Sequence, residues 1–159
     1  MTQSNSSMQL TRAADYGIRV MIQLATLPTG TRTLLSDLSQ ATDAPVSFLS
    51  KILQALARAK LIASQRGKTG GFELLAKGRA ASMYDVIEAI DGPICLNTCL
   101  VSGKSCERSG WCPAHPVWAR AQRAMLDILK QASIEELAGL VKRPEDPQPS
   151  ELKVLLVVH

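Results

Sequence analysis

From Thr11 to Leu27, apolar residues recur at helical spacing on Ala14, Gly17, Ile18, Met21, Leu24 and Ala25. This predicts an amphipathic helix, ended by Pro28-Thr29-Gly30. A second helix is predicted over about Leu34 to Gln40, capped by Thr33 or Ser36. "ATDAP" (Ala41 to Pro45) then reads as a turn, with Pro45 placed to open a third helix at its first position. That helix, Val46 to Lys60, carries Leu49, Ile52, Leu53 and Leu56 on one face and Ser47, Ser50, Lys51, Gln54 and Arg58 on the other. The period then changes. Leu61–Ser64 and Phe72–Leu75 are β-prone and flank a Gly-rich tip, which signals a hairpin.

Past the hairpin, "SMYDVIEAID" predicts a short helix with Ser82 as cap and Asp85 at the third helical position, as in a capping box. Gly92-Pro93 breaks it. Pro116 to Ala132 is a longer helix with Val117, Trp118, Ala121, Met125, Ile128 and Leu129 on one stripe. Ser133 and Glu136 form a box for a last short helix, followed by a Pro-rich charged linker and the apolar segment "LKVLLVV". The expected fold class is mainly α with a small β-hairpin wing: a winged helix-turn-helix domain plus a long helix. The expected boundaries are a disordered extension over 1–7, a winged domain over 8–91, a loop over 92–115, the long and following helices over 116–142, and a tail over 143–159.

Composition narrows the class. At 159 residues, 46% hydrophobic and 20% charged, the chain is expected to be one soluble globular unit able to bury a core. No apolar run approaches the ~20 residues that span a bilayer, and "MTQSNSSMQL" lacks the pattern of a secretory signal. A cytoplasmic location is therefore expected. A P-loop and a G-x-G-x-x-G turn are absent, and His115 has no nucleophilic serine in a recognisable motif, so enzyme chemistry is not expected.

The net charge of +4 matters less than its placement. Between Ala44 and Phe72 there are five basic residues, Lys51, Arg58, Lys60, Arg66 and Lys68, and no acidic one. A phosphate-facing surface has this character, because each cation releases a condensed counterion. In a winged helix-turn-helix the third helix lies in the major groove and the wing follows the backbone or a minor groove. Ser47, Ser50, Lys51 and Gln54 then face bases, Arg66 and Lys68 serve the wing, and Arg58 is a phosphate candidate.

"CLNTCLVSGKSCERSGWCPAH" holds all four cysteines and one of the two histidines, spaced C-x3-C-x6-C-x5-C-x2-H. Neither a zinc ribbon nor a zinc finger has this spacing. The polar neighbours argue against a core role, and the expected compartment argues against a disulfide. A metal remains, as zinc or as an iron–sulfur cluster, with Lys104 and Arg108 placed to balance thiolate charge.

Together "MQLTRAADYGIRVMIQLA", "VSFLSKILQALARAKLI", "RGKTGG" and the run through "CPAHPVW" resemble the IscR/NsrR/RirA family of winged-helix iron–sulfur regulators, from Met8 to about Val141. The resemblance implies a transcriptional regulator whose operator affinity follows the state of its cluster, sensing iron, nitric oxide or redox stress. It further implies a homodimer that crosses through the long helix and reads a pseudo-palindromic operator in double-stranded DNA. The family's three cluster cysteines fall on Cys99, Cys106 and Cys112, with six residues between the first two where five is common. The fourth ligand is His115, as in the IscR type, which is favoured, Asp15, as in the NsrR type, or neither. His115 goes with a [2Fe–2S] cluster, the favoured type, and Asp15 with [4Fe–4S]. Without the family, Asp15 reads as an ion pair with Arg19 four residues on. Cys95 is an extra thiol that could substitute for Cys99. The alternatives are a DNA-binding protein with structural zinc, and an electron-transfer protein with an incidental basic hairpin.

Overall fold

The computed structural model describes residues 10–67, 70–101 and 106–141. The N-terminal extension, Lys68, Lys104, the Pro-rich linker and the apolar C-terminal segment lie outside the described residues. Helix α1 (Arg12–Ala25) is the centre of the core. The Thr11 side-chain oxygen caps it by accepting from the Ala14 N–H at 3.1 Å. At its other end the Arg79 guanidinium donates to the carbonyls of Ala25 and Leu27, at 3.0 and 3.2 Å, and so satisfies acceptors the helix leaves open.

Helix α2 (Leu35–Thr42) departs from expectation at its start: neither Thr33 nor Ser36 caps it, and Leu34 is the cap residue with no side-chain bond. The reason is long-range. Thr33 exchanges both backbone hydrogen bonds with Phe72, at 2.9 and 3.0 Å, and is extended against the wing. After Asp43, in the left-handed region at φ 51°, the chain enters α3 (Val46–Arg58). Pro45 caps α3 rather than forming its first residue. Leu49, Ile52, Leu53 and Leu56 are buried as the pattern requires. The helix stops in a Schellman motif: Leu61 N–H donates to the Leu56 carbonyl and Lys60 N–H to the Ala57 carbonyl, with Lys60 at φ 60°.

Strands β1 (Ile62–Gln65) and β2 (Gly71–Leu74) pair antiparallel, Ile62 opposite Leu74 and Gln65 opposite Gly71. Each sits one residue nearer the tip than the sequence suggests, because Leu61 is used in the helix stop and Leu75 caps the next helix. That helix, α4 (Ala76–Arg79), is too short to carry a periodic signal and was not expected. Helix α5 (Met83–Asp91) has both halves of its Ser82–Asp85 capping box. Among the described residues, only the Ser133 half of the other box forms, on α7 (Ile134–Gly139). Backbone bonds from Ile134 to Ala81 and from Met83 to Ala132, at 2.8 and 2.9 Å, join the starts of α5 and α7.

Helix α6 (His115–Gln131) differs from the rest in having no buried residue. Leu129 packs partly on the core and Met125 is half-buried, but Val117 and Ile128 are 63% and 68% exposed. Lys130 Nζ sits 4.8 Å from the Tyr84 ring centroid, which ties α6 to α5. The Tyr84 hydroxyl donates to Glu88 at 2.8 Å, and this bond, with some burial and the nearby carboxylate charge, raises the phenol above its usual range. No helix among the described residues is long and apolar enough to cross a membrane.

Candidate nucleic-acid interface and cysteine site

On α3, Ser47, Lys51, Gln54 and Arg58 are exposed at spacings of four, three and four, which places them on one stripe. Ser50 is half-buried beside them and its hydroxyl donates to the Val46 carbonyl at 3.2 Å. The wing stands across from this stripe. Between them lies a groove of about 610 Å³, walled by Ser50, Gln54 and Arg58 from α3 and by Ser64, Gln65 and Arg66 from the wing. Ser64 and Gln65 were not singled out in the sequence; they line the groove because the wing stands beside α3. Lys51 and Ser47 are exposed outside the groove walls. At the start of α3 the half-exposed Phe48 meets the Tyr16 ring edge-on, centroids 6.0 Å apart.

The cysteine loop leaves α5 at Gly92, whose φ of 83° and ψ of −168° suit a residue without Cβ. Leu96 N–H donates to the Gln122 side-chain carbonyl at 2.9 Å, which fastens the loop to α6. Asn97 caps a 3₁₀ turn, Thr98–Leu100, and that turn presents Cys99. After the undescribed residues 102–105, tight turns place the next ligand candidates. Ser109 N–H donates to the Cys106 carbonyl at 2.9 Å, Cys112 N–H to Arg108 at 2.8 Å, and His115 N–H to Cys112 at 3.1 Å.

These turns bring Cys99, Cys106, Cys112 and His115 onto the walls of one cavity of about 440 Å³, closed on the helix side by Trp118. All four cysteines are free thiols. Cys95 is exposed and does not line this cavity; its Sγ lies 4.0 Å from the Leu100 carbonyl. Asp15 does not line it either, and its carboxylate is paired with Arg19 at 2.8 Å. Among the described residues, no three His, Cys, Asp or Glu side chains converge closely enough to hold one metal ion. A zinc ion would need its donors within about 2.0–2.3 Å of a single point. Thiols and an imidazole are donor types that both zinc and iron–sulfur clusters use.

A family model described as an iron-dependent transcriptional regulator, Rrf2, matches residues 10–139. The chain belongs to the Rrf2 family. A helix-turn-helix-type transcriptional regulator of Mycobacterium tuberculosis is 33% identical over 132 residues, covering 83% of this chain and 82% of that protein. CymR, the global cysteine regulator of B. subtilis, superimposes with a TM-score of 0.69 at 25% identity, over 84% of this chain and 98% of that one. IscR of T. potens gives the same TM-score of 0.69 at 17% identity, over 88% of this chain and 93% of that one, a likeness of fold alone. The Rrf2 chain thus has the winged-helix fold of its family and is a DNA-binding transcriptional regulator rather than an enzyme. Trp118, which lines the cysteine cavity, and Gln122, which fastens its loop, were not singled out by the sequence. Both looked like ordinary members of a long helix.

Proposed function

We propose that this Rrf2 regulator is a cytoplasmic homodimer that reads a pseudo-palindromic operator, and that an iron–sulfur cluster held by Cys99, Cys106, Cys112 and His115 sets its affinity. The observation that carries the reading is that those four residues line one cavity. His115 completes the set and favours a [2Fe–2S] type; Asp15 is already paired with Arg19. When bound, the cluster supplies a linkage among these residues that iron supply, nitric oxide or oxidation can break. The chain's own residues do the rest. His115 is the first residue of α6, so whatever orders the cavity orders the start of that helix. The exposed stripe of Val117, Ala121 and Ile128 on α6 suits packing against a second copy, and a change at its root alters the distance between two recognition helices. Couplings of this kind are worth about 1–3 kcal/mol, or roughly 5–150-fold in affinity.

The test is the visible spectrum of protein purified without oxygen, followed by operator binding before and after exposure to air or nitric oxide. Thiolate-to-iron absorption bands that fade together with a change in affinity are expected. A colourless protein carrying stoichiometric zinc would replace this reading with a structural metal site and no sensing role. For the DNA face, Ser47, Ser50, Lys51 and Gln54 approach bases, while Arg58, Arg66 and Lys68 serve phosphates. Arg66→Gln is expected to weaken binding about equally across sequences and to lower the salt slope of log K by about 1. An unchanged slope in binding assays across salt would remove Arg66 from the interface.

A further inference from the structure

Arg108 lies in the turn between Cys106 and Cys112 and lines the same cavity as both. Its carbonyl accepts from Trp111 and Cys112 N–H, at 3.1 and 2.8 Å, so its backbone is fixed from two sides. Its guanidinium carbon stands 5.6 Å from the centroid of the Trp111 ring. That ring is 70% exposed and serves no core. At that distance an exposed guanidinium is within cation–π range of the indole, which narrows the positions it samples. Among the described residues that line the cavity, Arg108 is the only cationic one apart from the titratable His115.

As cluster ligands, three cysteines would bring three negative charges to this cavity as thiolates. Reduction of a bound cluster would take one electron from a one-electron donor and reduce one iron. The filled cavity becomes more negative by one unit. A fixed cation at its wall favours the reduced form, since net charge is among the factors that set cluster potentials. Resting on the cluster reading above, we propose that Arg108, held by Trp111, is the positioning residue that raises the reduction potential of the site.

The experiment is potentiometry of the full chain, purified without oxygen and reduced stepwise with dithionite, at low and high salt. Arg108→Gln is expected to lower the reduced-to-oxidised ratio about tenfold at a fixed potential, a shift of about 59 mV for one electron. Arg108→Lys should keep a large part of the wild-type value. The gap between wild type and Arg108→Gln should shrink near 1 M salt, where the screening length is about 3 Å. A purely structural arginine would change cluster content, not a salt-dependent potential. If Arg108→Gln does not retain the cluster, Trp111→Leu carries the test and is expected to lower the potential at full cluster content. Equal potentials in these variants and wild type would overturn this proposal while leaving the cluster reading intact. A colourless wild type would overturn both.

Discussion

Cys106→Ala is expected to abolish cluster binding and, with it, the dependence of operator affinity on air or nitric oxide. Cys106 is exposed and its side chain makes no described hydrogen bond, so its removal should change global stability by less than about 0.5 kcal/mol. The effect belongs to the cavity, where Cys106 is one of three thiols. The roughly 5–150-fold change in affinity proposed for the wild type should collapse to none. This holds whichever state is the one that binds. Cys95→Ala is the matched control: Cys95 lies off the cavity, and its loss should leave colour and switching in place. Iron content, visible absorption and operator affinity, read on the same preparations, check both variants. A coloured Cys106→Ala protein with normal switching would show the ligand assignment to be wrong.

The largest expected effect on stability comes from Gly78→Ala. A Cβ on Gly78 would strike the Leu61 carbonyl oxygen and come within 2.8 Å of Leu74 Cδ1. The carbonyl has no freedom to yield, because it accepts from Leu75 N–H at 3.1 Å where the wing meets α4. Leu61 is also the residue that closes the Schellman stop of α3. Overpacking against fixed backbone costs about 1–3 kcal/mol, and the upper end is expected here. In a chain of this size that corresponds to a melting point lower by roughly 6–12 °C. Gly110→Ala, which meets nothing within 4 Å, should be nearly neutral by comparison. Urea denaturation of the two variants against wild type decides it. A Gly78→Ala midpoint indistinguishable from wild type would mean that α4 shifts freely.

Local chemistry made part of this structure legible. Helices α1, α3 and α5 carry strong apolar periodicity, and Ser82 and Ser133 act on neighbours three residues away, so sequence alone locates them. The misplaced cap of α2 has the opposite origin. Thr33 has the right side chain, but its backbone is recruited by Phe72, 39 positions on, and no local pattern announces that. Helix α4 has four residues and no period to detect. In the cysteine loop, spacing and residue type pick out the soft donors. The walls supplied by Trp118 and Asn97, and the tie from Leu96 to Gln122, depend on how the loop folds back on α6. The stripe on α6 could not be assigned from its pattern, because burial within one chain and burial between two write the same heptad-like signal. Within the single chain Val117 and Ile128 are exposed, whereas Leu129 packs on the core.

Thr11 does more than cap α1. While its oxygen accepts from Ala14, its hydroxyl donates to both carboxylate oxygens of Asp91, at 2.9 and 2.7 Å. A carboxylate is poorly placed at the negative end of its own helix, α5, and well placed at the positive end of α1. Asp91 therefore burdens one helix and relieves the other, and the two ends are steadier together than apart. Neither should fray alone, so they open to solvent as one unit in hydrogen exchange. The cysteine loop springs from a stiff footing that is also the first turn of the helix backing the DNA-reading head.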